Sequence, residues 1–86
     1  MRFVVRTFDD PSKIMLRTEH MGAHLRYLQE NDREILVAGS LRKKAGADPI
    51  GALWIVEAET EARARQLVEE DPFHIEGLRA NYEVLL

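Results

Sequence analysis

The run Ala52-Leu53-Trp54-Ile55-Val56 constrains this chain more than any other segment. Its apolar residues do not alternate with polar ones. A strand apolar on both faces fits this pattern, predicted over Ile50 to Glu57. Such a strand needs cover on both sides of its sheet, and the rest of the chain must provide it.

The chain has 86 residues, which suits one domain spanning 1–86. Arg2 to Phe8 is rich in β-branched and aromatic residues and reads as a first strand, ended by Asp9-Asp10-Pro11. Asp10 before Pro11 also forms a helix start, because Asp caps and proline fits the first helical position. Lys13 to Glu30 reads as helical, with the part before Gly22 open as a separate short helix. Met21, Leu25 and Leu28 recur at i, i+4 and i+7 and form its apolar stripe. Glu34 to Leu41 is predicted as a second strand, with Gly39 marking a bend or a close backbone approach. Lys43 to Pro49 is a loop. Thr60 caps a helix from Glu61 to about Glu70, Pro72 stops it, Phe73 to Glu76 can add one turn, and Leu78 to Leu86 is the last strand.

The resulting order βαββαβ predicts an α+β, ferredoxin-like fold with a four-stranded antiparallel sheet. Two helices cover one sheet face. The other face stays apolar and bare, and a second copy of the chain covers it most simply. A domain this small is also marginal alone, so a homodimer is expected.

Composition removes several function classes. With no cysteine, disulfides, thiol catalysis and zinc–thiolate sites are excluded. The net charge of −3, with both signs scattered, argues against a nucleic-acid partner. No segment has the roughly 20 apolar residues of a membrane span, and the N-terminus lacks a secretory pattern, so no membrane partner and a cytoplasmic location are expected. Arg42-Lys43-Lys44 reads as a solvated loop or as a contact for an anionic ligand.

At 100° per residue, His24 lies on the flank of the Met21–Leu25–Leu28 stripe, Arg17 two turns earlier on the same edge, and His20 further toward solvent. His24 therefore reads as partly buried, either as a structural histidine or as a reactive one, and Arg17 as a group that could hold an anion. On the second helix, Asp71 falls within the stripe of Ala64, Leu67 and Val68, where an aliphatic residue belongs. A carboxylate aimed at a core must find a partner, because an unpaired buried charge is very costly. Asp71 before Pro72 is equally a helix cap, and one carboxylate can both cap and meet an imidazole. His20 and His24 stand four apart, a spacing that can serve a metal, but there is no HExxH motif and no metal site is assigned. His74 reads as a surface or interface residue, and Trp54 and Phe73 as core. Ser40 sits in no nucleophile elbow and reads as a hydrogen-bond donor to a ligand.

Ala23-His24-Leu25-Arg26-Tyr27-Leu28, Ile35-Leu36-Val37-Ala38-Gly39-Ser40-Leu41 and Asp71-Pro72-Phe73 together resemble the YCII-related (YciI-like) family, in the family's order and over essentially the whole chain. The resemblance implies a dimeric α+β barrel with a cleft holding a histidine and an aspartate, here His24 and Asp71. It matches the family's upstream arginine to Arg17. This chain has Gly39-Ser40 where the family often has Gly-Pro, so the pocket shape departs from the pattern. Some relatives remove a leaving group from cyclic hydroxylated substrates.

Two functions follow. One is a lyase or isomerase acting on a small cyclic molecule without a cofactor. In it, His24 is the acid or base, Asp71 orients it, and Arg17 and Ser40 hold substrate oxygens. The other is a non-catalytic module that binds a small molecule or assists a larger enzyme.

Overall fold

Strand β1 (Arg2–Asp9) runs through the middle of the sheet because Phe3, Val5 and Thr7 alternate inward and are all buried. A computed structural model describes residues 1–86. After β1 come a 3₁₀ turn (Pro11–Lys13), α1 (Met15–Glu30), β2 (Ile35–Leu41), β3 (Gly51–Glu57), α2 (Glu61–Glu69), the one-turn α3 (Pro72–Ile75) and β4 (Arg79–Leu85). The four strands pair antiparallel in the order β2-β3-β1-β4, the ferredoxin-like arrangement. The predicted elements are all present, with ends shifted by a residue or two.

The local signals act as expected. Thr60 accepts a hydrogen bond from the Arg63 N–H at 3.1 Å and starts α2. Asp10 caps the 3₁₀ turn through the Ser12 N–H, and α1 then runs unbroken through Gly22 from Met15 to Glu30, with no separate short helix before Gly22. Gly77 follows α3 at φ +91°, a conformation that costs glycine little, and turns the chain into β4.

The core lies between the inner sheet face and α2. Phe3, Val5, Trp54, Val56, Ala64, Leu67 and Val68 form one buried cluster. Register makes this possible: Val5 faces Trp54, and Val5 also faces Val84 across the other edge of β1.

Two expectations need correction. Leu25 is 56% exposed, whereas the buried residues of α1 are Arg17 and His24. Met21 and Leu28 are half-buried and line a cleft together with Leu25, and Leu28 also packs against the core cluster. Gly39 marks neither bend nor close approach, since a Cβ there would meet nothing within 4 Å, and the irregularity in β2 lies between Ile35 and Val37. The close approach is at Gly51, where a Cβ would stand 1.9 Å from the Thr7 carbonyl oxygen.

β3 is buried on one face only. Ala52, Trp54 and Val56 point inward, while Leu53 is 39% exposed on the outer face. Phe8, Val37 and Leu85 are also exposed on that outer face, beside Arg6 and Glu83, so it is largely apolar and uncovered within one chain.

Candidate active site

The interior end of α1 carries charge where the sequence pattern predicts an apolar contact, and each charge has a specific partner. His24, 8% exposed, places its Nδ1 2.7 Å from Oδ1 of Asp71, which is 1% exposed. The Phe73 N–H donates to the same Asp71 oxygen at 3.2 Å, so the carboxylate caps α3 and holds the imidazole at once. The Arg79 guanidinium lies 3.7 Å from the other oxygen. Surrounded by donors, Asp71 acts as the acceptor and Nδ1 carries the ring proton. The imidazole also stacks on the Phe73 ring, with centroids 4.1 Å apart and planes 14° from parallel. Two neighbours therefore fix the ring, and Nε2 makes no hydrogen bond within the chain.

A second buried network stands beside the first. Asp9 accepts from Arg17 Nη2 at 2.6 Å and from Arg17 Nε at 3.1 Å, and its other oxygen accepts from Arg79 Nη1 at 2.8 Å. Arg17 Nη2 also reaches the Gly51 carbonyl at 3.3 Å. Asp9 is 4% exposed and Arg79 1% at their side chains, so these are charge-assisted bonds in a low-dielectric setting. The guanidinium carbons of Arg17 and Arg79 both lie over the Phe73 ring, 5.4 Å and 5.1 Å from its centroid.

A cleft of about 220 Å³ opens between α1 and the β2–β3 part of the sheet. Arg17, Met21, His24, Leu25 and Leu28 of α1 form one wall. Ala38, Gly39 and Ser40 of β2, with Arg42 and Pro49 from the following loop, form the other, and Ala52 and Trp54 form the floor. Arg79 completes the lining beside Arg17. The structure thus brings together His24, Asp71 and Arg17, and places Ser40 across the cleft from them. His20 lies apart, 3.7 Å from Glu76. His74 packs edge-on against Tyr82 at 5.8 Å.

Sequence reasoning missed Asp9 and Arg79 and treated Phe73 as core alone. Asp9 continues the inward alternation of Phe3, Val5 and Thr7, which is the signal that could have found it. Arg79 has no such signal. The β1–β4 register slips between Phe8 and Asp9, so that Asp9 faces Arg79.

Tyr27, one turn after His24, donates to the Leu67 carbonyl at 2.7 Å and ties α1 to α2. Burial, reinforced by the negative charges of Glu70 and Asp71, pushes its phenol up to about 12, so it stays a donor at any ordinary pH.

The YCII-related domain matches residues 1–86. Among solved structures, the chain is similar to 5-chloro-2-hydroxyhydroquinone dehydrochlorinase (TftG) from Burkholderia phenoliruptrix AC1100, determined in complex with 2,5-dihydroxybenzoquinone. The similarity covers 100% of this chain and 92% of that one, at 33% identity and a TM-score of 0.88. A protein from Bacteroides thetaiotaomicron assigned as an antibiotic biosynthesis monooxygenase shares the fold at 17% identity and a TM-score of 0.56, over 99% of this chain and 84% of its own. No curated protein matches the chain at a significant level.

Proposed function

The chain belongs to the YCII-related domain family, and from that premise we propose that it is a lyase acting on a small hydroxylated ring, with His24 moving the protons. One observation carries the reading. The imidazole is locked through Nδ1 to a buried carboxylate, and its other nitrogen is left for a ligand in the cleft it lines.

The cleft volume suits such a ligand. A cavity of about 150 Å³ takes up benzene, so 220 Å³ holds one substituted ring and not two. The similarity to a dehydrochlorinase that acts on a chlorinated hydroxyhydroquinone supports the same substrate class.

The chemistry balances without an oxidant. His24 Nε2 takes a proton from a ring hydroxyl, and the oxygen's electron pair moves into the ring. The imidazolium returns that proton to the carbon that bears the leaving group, giving the keto tautomer. His24 then removes a second hydroxyl proton. The leaving group departs with its bonding pair, and the ring becomes a quinone. The net change is loss of one acid molecule, such as HCl. Asp71 keeps Nε2 aimed at the ring and stabilises the imidazolium, and proton transfer by a positioned group is worth about 10²–10⁴-fold. Arg17 and Ser40 hold ring oxygens, Arg17 favouring them most when they carry charge.

The exposed outer sheet face is proposed to pack against a second copy of the chain, forming a homodimer. Light scattering should then give twice the 9.9 kDa chain mass at micromolar concentration, and the monomer mass would contradict it. The function is tested by incubating the protein with 5-chloro-2-hydroxyhydroquinone and related hydroxylated, halogenated rings under nitrogen, and following halide release with quinone formation. Binding without release would leave the protein a small-molecule-binding module.

A further inference from the structure

The chain carries 15 acidic and 12 basic residues, yet the lining of the cleft holds three arginines, Arg17, Arg42 and Arg79, and no aspartate or glutamate. Two of the three are partly neutralised from behind, since Asp9 bonds both Arg17 and Arg79. Arg42 has no such partner. Its one bond within the chain runs from Nη1 to the Ala47 carbonyl at 2.6 Å, so its full charge stands exposed at the cleft. Trp54 Nε1 and Arg79 Nε, in two of the lining residues, are buried and have no acceptor within the chain.

From this charge distribution we infer that the cleft selects rings already ionised in solution, with Arg42 as the specificity residue. The inference rests on the reading of the cleft as a ring site and names its substrate class: a planar ring whose negative charge is delocalised over its oxygens. The walls fit that shape, because the apolar edges of Met21, Leu25 and Trp54 meet the ring while the guanidiniums meet its oxygens. Arg42 begins an exposed basic loop, Arg42-Lys43-Lys44, which adds long-range attraction for an anion at low salt.

The experiment uses two matched pairs of probes, each an anion and a neutral analogue of nearly the same shape. These are 2,4-dinitrophenolate with 2,4-dinitroanisole, and benzoate with benzamide. Binding is measured by calorimetry on the intact protein at low and high salt. The anion of the first pair should bind at least about tenfold more tightly than its neutral analogue, a difference of about 1.4 kcal/mol, and lose that margin at high salt. Arg42→Gln, at an exposed position, should cut the phenolate's affinity about tenfold and leave the neutral analogue unchanged. Preference for benzoate over the phenolate would overturn the assignment of an oxyanion-bearing ring. Equal affinity for charged and neutral probes, or an unaffected Arg42→Gln variant, would overturn the inference and leave the elimination chemistry standing. Failure of all four probes to bind would overturn the ring site itself and the inference with it.

Discussion

Replacing Asp71 separates its two roles. Asn is as good an N-cap as Asp, so Asp71→Asn keeps the bond to the Phe73 N–H but removes the charge facing His24. A hydrogen bond to a charged group is worth about 1.5–3 kcal/mol and a neutral one about 0.5–1.5 kcal/mol, so the downgrade costs about 1–1.5 kcal/mol. Loss of the counter-charge 3.7 Å from Arg79 raises the total to about 2 kcal/mol. For a domain of this size that is a fall in Tm of about 8–16 °C. Asp71→Ala also strands the His24 Nδ1–H and the Phe73 N–H without acceptors in a buried site, and should cost about 3–5 kcal/mol. Urea and thermal unfolding at one fixed protein concentration measure both, because a dimer's Tm depends on concentration. Imidazole nitrogen chemical shifts show whether the Nδ1–H tautomer is lost. If Asn is neutral and Ala costs only the 1 kcal/mol or so of a helix cap, with the tautomer unchanged, then Asp71 does not hold His24.

Other residues give independent checks. Asp9→Ala leaves the buried Arg17 and Arg79 cations without their shared acceptor and should destabilise by about 3–5 kcal/mol in urea unfolding. Tyr27→Phe should cost about 1 kcal/mol at neutral pH. The Tyr27 phenol is pushed up to about 12, so its contribution is complete below the unfolded value of 10 and fades as pH rises from there through 12. The alkaline loss of stability should accordingly be shallower in Tyr27→Phe. Gly51→Ala places a Cβ 1.9 Å from the Thr7 carbonyl, and circular dichroism should show a fold weakened by more than the usual 1–3 kcal/mol or so of overpacking.

The fold was legible because each element carried its own signal. Val5, Trp54 and Val84 lie in runs rich in β-branched and aromatic residues that read as strands, and Thr60 and Asp71 announce helix starts. The pairing of His24 with Asp71 was approachable because each sits at or beside an apolar stripe where charge is out of place. Helical periodicity failed at Leu25 because α1 borders a cleft. There the apolar stripe faces the cleft, while Arg17 and His24 are buried by their bonds to Asp9 and Asp71. Arg79 was hidden for a different reason: its partner Asp9 is 70 residues away, and the contact depends on a register slip that no local pattern encodes.

The central claim is that His24, held by Asp71, moves protons on a ring bound in the cleft. It is tested most directly by comparing kcat/KM for halide elimination between the native protein and His24→Gln, both verified as folded and in the same oligomeric state. The account predicts a loss of about 10²-fold or more, the contribution of a positioned acid–base group, with ring binding retained. A folded His24→Gln protein that keeps its rate within a few-fold would contradict it.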